Sequence, residues 1–291
     1  MNTETLNTNP STEYAAPKKI KWIKRRGAMR VVVGGTMCMI IVLLVVMSVF
    51  WTPYDPLVGE LKAKNLAPCL AHIFGTDTLG RDVFSRVLAG GRISLSICAL
   101  ALVGTTTLGV VFGLIAGYYG GIFDTITNML AEIRQSMPMM LIMIVALAIM
   151  GPSLLNMAII LAFADWIMIF RTVRAKTMVE KNQDYVAAAK ANGASNARIL
   201  FKYILPNVLP SIVIITALLI SSVILSEASL SYLGIGVTRP NPSWGRMVSD
   251  GESAFTTGGW WMSTFPALAI AVFVFGVNIL ADGLRETWKV E

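Results

Sequence analysis

Charge is what this chain has least of. Only 14% of its 291 residues are Asp, Glu, Lys or Arg, against roughly a quarter in a soluble domain. Residues 31–54, 93–123, 135–164, 203–226 and 253–281 contain no Asp, Glu, Lys, Arg or His at all. About 20 apolar residues suffice to cross roughly 30 Å of hydrocarbon. With 55% hydrophobic residues and a mean hydropathy of +0.66, an ordinary soluble domain is excluded. His72 is the single histidine, which argues against a His-based metal site. Of the three cysteines, Cys38 and Cys98 lie in apolar runs and Cys69 in a polar loop. No pair is placed to bridge, so no disulfide framework is expected.

Catalytic motifs are missing too. There is no Gly-x-x-x-x-Gly-Lys-Ser/Thr phosphate loop, and no Gly-Lys dipeptide. Neither His-Glu-x-x-His nor Gly-x-Ser-x-Gly occurs. The chain is therefore expected to hold no cofactor and to carry out no bond chemistry. The net charge of +7 does not point to nucleic acid, because the bases flank apolar spans and are not interleaved with exposed aromatics.

What is present reads as an all-α, polytopic membrane protein. Residues 1–17 are polar and read as disordered. A basic block follows: Lys18, Lys19, Lys21, Lys24, Arg25, Arg26 and Arg30. The apolar run Val31–Trp51 is too long for a signal-peptide core and lacks a small-x-small cleavage site after it. It is expected to be a retained first span, dividing the chain into a tail (1–29) and a membrane domain (30–291). Six spans are expected, at about 30–51, 91–116, 124–150, 153–172, 206–229 and 261–283. Pro138 is expected to kink the third, and Gly151-Pro152-Ser153 to turn tightly into the fourth.

With the N-terminus inside, sixteen Lys and Arg fall on internal segments and seven on external ones. That bias predicts both termini in the cytoplasm. It also puts residues 184–206 there.

That segment is charged and Ala-rich, too elaborate for a simple linker. Asp184 is expected to cap a helix through Ala187, Ala188, Ala189 and Ala191, and Gly193 to end it in a left-handed turn. Ile199, Leu200, Tyr203 and Ile204 then share one side of a second helix, and Pro206 opens the next span. The segment resembles the "EAA" coupling element of ABC importer permeases: Glu-Ala-Ala, three residues, Gly, then Ile-x-Leu-Pro. Ala188, Ala189, Gly193, Leu205 and Pro206 match. Ala187 stands at the Glu, and Tyr203 at the Ile. The bland alternative is an amphipathic interfacial loop.

A second stretch, Gly75-Thr-Asp-Thr-Leu-Gly-Arg-Asp-Val-Phe-Ser-Arg-Val-Leu-Ala-Gly-Gly-Arg-Ile-Ser-Leu95, resembles the hallmark of the dipeptide/oligopeptide/nickel branch of those permeases, as do 226–236 and 240–245. Within the branch it looks like the C-type partner. Asp77/Arg81 and Asp82/Arg86 are each four apart, the spacing of helical ion pairs. With Arg92 they either shape an outer gate or staple the outer loops, stapling being the default.

The resemblance implies a homologous second permease, two cytoplasmic ATPases that hold ATP-Mg, an extracytoplasmic substrate-binding protein and a lipid bilayer. It also implies a bacterial inner-membrane location. Peptides head the possible cargoes, ahead of nickel chelates, opines and glutathione. Four charges fall in or near spans: Arg134, Asp165, Glu227 and Asp282. Such charges are costly and often functional. Asp165 and Glu227 are pathway candidates, though Glu227 is rated slightly higher as an acceptor that holds the outer end. Arg134 and Asp282 are expected near the cytoplasmic face. An ion-coupled secondary transporter and a membrane enzyme are the rivals from other classes.

Overall fold

The computed structural model describes residues 18–288, so the expected disordered tail, 1–17, lies outside the described residues. Among the described residues no strand forms beyond a single bridge between Thr76 and Asp82. Helix α1 (Lys18–Met47) runs through the basic block into the first apolar run. A loop holding one 3-10 turn, Leu61–Ala63, leads to α2 (Val83–Tyr119). At 37 residues and 1.5 Å per residue α2 is about 55 Å long. It outreaches the hydrocarbon core and takes in the end of the Gly75–Leu95 motif.

Helix α2 packs along α5 (Leu154–Glu180) through small residues. A Cβ at Gly109 would lie 2.6 Å from the Ile169 side chain, and one at Gly113 2.7 Å from Val173. Gly117 repeats the pattern against Thr177 at 2.7 Å. Spaced four apart, these glycines bring two backbones into contact, as small-xxx-small faces do in membranes. Helices α1 and α10 (Trp261–Trp288) meet the same way at Gly34 and Gly276.

The third span is a break rather than the expected kink. Helices α3 (Gly121–Ser136) and α4 (Met139–Met150) meet at 93° around Met137-Pro138. Their tethers climb α5 in order. Asp124 pairs with Arg174, Arg134 reaches the Ala164 carbonyl, and Asn156 donates to the Met150 carbonyl at 2.8 Å. Counted as one bent span, the pair makes six with the five other long apolar helices. Gly151 has φ +79°, and the Ser153 side chain caps α5 at Asn156 N–H (3.1 Å), completing the expected tight turn.

Beyond α5 come α6 (Asp184–Ala191), α7 (Asn196–Arg198), a π-helical stretch (Ile199–Ile204) and α8 (Leu205–Tyr232). Helix α9 (Trp244–Phe255) is short and lies between α8 and α10. Chain order gives the bundle two ends. One, the segment face, holds α6 and α7, the start of α1 and the end of α10; Arg30 pairs with Glu286 there. The other, the loop face, holds 48–82, 151–153 and 233–260.

Candidate functional site

On the segment face, Asp184 is the first helical residue of α6 and not its cap. Gln183 takes the cap position, without a side-chain bond. The carboxylate still sits in the first turn, where the helix dipole favours it. The far end closes as expected. Gly193 has φ +75°, its N–H bonds to Lys190 O, and Ala194 N–H bonds to Ala189 O (both 3.0 Å). That is a Schellman closure, in which a residue with a Cβ is disfavoured at Gly193.

The alanines divide by face. Ala187 and Ala188 are exposed, whereas Ala189 is buried beside Val186. Ala189 thus anchors the helix within this chain. Val186 and Ala189 pack with Ile199, Leu200 and Ile204 against Leu114, Ile169, Val173 and Val208 of α2, α5 and α8. Tyr203 is half-buried at the edge of this cluster, and Leu205 joins it. Polar tethers are few. Tyr118 Oη donates to Asn196 Oδ1 (2.9 Å), and Lys190 lies over the Tyr118 ring at 5.4 Å. Asn207 donates to Tyr185 Oη at 3.2 Å. The Tyr185 phenol is pushed up to about 12, first by burial and then by its hydrogen bond to Glu180. Pro206 lies at the head of α8, just past the π stretch, where Leu205 N–H reaches back to Leu200 O.

The loop face is held by side chains. Asp77 and Arg81 do pair (2.7 Å), but across a turn and not along a helix. Asp77 Oδ1 also accepts the N–H groups of Leu79 (2.8 Å) and Arg81 (3.0 Å). The expected Asp82–Arg86 pair does not form. Asp82 sits at the N-cap of α2, where it accepts from Ser85 N–H (2.8 Å) and faces His72 Nδ1 at 2.9 Å. Arg86, 3% exposed, lies 3.5 Å from Asp77 and donates to Pro56 O at 2.9 Å. His72, read from sequence as solitary, packs against Tyr54 with ring centroids 4.6 Å apart and the rings tilted by 34°. Arg92 is half-buried on α2 and makes no hydrogen bond or ion pair among the described residues.

Glu227, fully buried, accepts from Ser94 Oγ (2.9 Å) and Ser231 Oγ (2.7 Å). Ser94 Oγ in turn accepts from Trp244 N–H at 3.2 Å. The carboxylate thereby ties α2 to α8 and, through Ser94, to α9. This is the acceptor role weighed above the pathway role.

Asp165 lies midway along α5. Its Oδ2 is buried with no hydrogen-bond partner among the described residues. Arg134 interacts with it electrostatically from across a cavity that both line. Asp282 is exposed near the segment-face end of α10, as expected. Arg134 is not: it sits at mid-depth, against Ala164. The sequence signal was the polar run Arg134-Gln135-Ser136, one residue short of Pro138.

Five long apolar helices and one bent pair, with a short helix on one face and a rim held by ion pairs on the other, define a polytopic membrane protein. Residues 109–287 match the family described as binding-protein-dependent transport system inner membrane components, and the chain belongs to that family. It is 38% identical over 250 residues to the dipeptide transport system permease protein DppC of Bacillus subtilis, covering 85% of this chain and 78% of that one. It is 40% identical to the oligopeptide transport system permease protein OppC of the same organism, covering 85% and 82% of the two chains. With the dipeptide permease protein DppC of Haemophilus influenzae it shares 36% identity over 90% of each. In fold it is similar to a chain of the MetNI methionine ABC transporter in an inward-facing form. That likeness has a TM-score of 0.54 at 16% identity and covers 68% of this chain and 93% of the other.

Proposed function

We propose that this chain is the C-type permease of an ATP-driven peptide importer in a bacterial inner membrane, with the segment face and both termini in the cytoplasm. It forms a heterodimer with a homologous second permease. Two cytoplasmic ATPases bind ATP-Mg and hydrolyse it, and an extracytoplasmic binding protein delivers cargo to the loop face. The names of the relatives support peptides as cargo.

The observation that carries the reading is the two-sidedness of α6. Ala187 and Ala188 offer a thin, smooth surface, while Val186 and Ala189 fix the helix to the ends of three spans. A groove on an ATPase receives the first face. Closure of the ATPases moves α6 as a rigid body, and the apolar anchor passes that movement to α2, α5 and α8. Since Ala187 stands where the family element has Glu, docking rests on shape and backbone.

The test is gentle affinity purification of the tagged chain from its native membrane. Co-purification of ATPase subunits, a second permease and a binding protein is expected. Recovery of the chain alone, under conditions that preserve other membrane complexes, turns the reading toward an ion-coupled secondary transporter.

A further inference from the structure

The break between α3 and α4 borders a cavity of about 450 Å³ at mid-depth in the bundle. Arg134 and Gln135 of α3, Asp165, Arg171 and Thr172 of α5, and Ser222 of α8 supply its polar wall. Apolar side chains of α5 and α8 complete it. Its volume is in the usual range for small-ligand sites. We propose that this cup is a transient subsite for the termini of a zwitterionic peptide in transit. Asp165 takes the ammonium, and Arg134 and Arg171 take the carboxylate.

Three observations converge. First, charged groups at this depth do not face hydrocarbon without cost, so the open side of the cup faces water or protein. Second, Asp165 Oδ2 is buried, has no hydrogen-bond partner among the described residues, and belongs to the wall. A buried carboxylate oxygen left unpaired is costly unless a donor visits it. An ammonium supplies three donors. Third, the helix is interrupted beside the cup. Irregular backbone at membrane depth is tolerated where it lines a cavity, and broken helices at the midplane mark sites in other transporters. The wall carries both signs of charge with neutral hydrogen-bonding groups between, which matches both ends of a free peptide. An apolar or singly charged solute matches only part of it.

This inference rests on peptide cargo, so the test separates the two. The complete transporter, with its binding protein, is reconstituted in vesicles and supplied with ATP and radiolabelled trialanine. Ser222→Cys is probed with a water-soluble thiol reagent during turnover, with and without the peptide, against the parent chain as background. The expected result is labelling that trialanine slows at least fivefold, with the protection lost when Asp165→Asn is added. At equal amounts of assembled complex, Asp165→Asn is expected to cut trialanine uptake at least tenfold and Asp165→Glu to restore it to within threefold. Inert Ser222→Cys, labelling indifferent to peptide, or wild-type uptake by Asp165→Asn overturns the cup while leaving peptide cargo intact. A wild-type complex that takes up no peptide overturns the cargo reading and the zwitterion assignment with it.

Discussion

The two ends of this bundle are held by different physics. At the loop face, Asp77, Asp82, Arg81, Arg86, His72 and Glu227 are knotted by ion pairs and hydrogen bonds, many of them to backbone. At the segment face, α6 is held by a small apolar cluster and a handful of polar contacts. Directional bonds fix one geometry. Apolar contact holds a part to its neighbours and leaves its outer side bare. The first suits a rim that keeps its shape, and the second suits a helix that moves with the spans and is gripped by something else.

The strongest way to break the contrast is Gly193→Val. Its φ of +75° lies where a β-branched residue is strained, yet nothing lies within 4 Å of a Cβ there. The damage is therefore local to the end of α6. Vesicle uptake is expected to fall at least tenfold, with helical content by circular dichroism unchanged. Wild-type uptake and ATP hydrolysis in this variant would remove α6 from the coupling role.

Asp77→Ala comes next. It takes the nearest carboxylate from Arg86, which is 3% exposed and would keep the Pro56 carbonyl and the weaker pull of Asp250. Removing one partner of a buried pair costs about 3 kcal/mol. Thermal unfolding of the purified protein, with limited proteolysis of the 48–82 loop, reads the loss. Val186→Ala is the matching cut on the segment face. It removes two methyl groups from a fully buried site, at about 1–2 kcal/mol. It should also loosen α6 and lower uptake more than stability explains, whereas Asp77→Ala should do the reverse. If both variants lose uptake and stability in the same proportion, the two faces are not mechanically distinct.

Much of this was legible in the sequence because it rests on local pattern. Apolar runs longer than a bilayer gave the spans, and Gly193 gave the α6 closure. The errors came where partners are distant. Helical spacing paired Asp82 with Arg86, but the chain there is a turn leading to a cap, so Asp82 turned to Ser85 N–H and to His72, ten residues back. Ala189 matched the docking pattern, yet the phase of α6 about its own axis, set by Val186, turned it inward. Arg134 was expected near the cytoplasmic face, in the first half of an unbroken third span. A 93° break puts the same residue at mid-depth. The glycines at 109, 113 and 117 were readable as a close-packing stripe on spacing alone.

The smallest expected effect sharpens the comparison most. Arg239 pairs with Asp250 at 2.6 Å, but its side chain is 69% exposed, and Arg246 also lies 3.2 Å from the same carboxylate. The hydrogen bond to Asp250 raises the Arg239 pKa. Exposed pairs contribute about 0.2–1 kcal/mol and are screened by salt. Arg239→Ala should therefore lower thermal stability by less than about 1 kcal/mol, and the difference should shrink in concentrated salt. The cost of Asp77→Ala should persist there, because Arg86 is out of reach of the counterions. If both variants respond to salt alike, the loop face is a screened surface network, and the bonds described for Asp77 are not what holds the rim in shape.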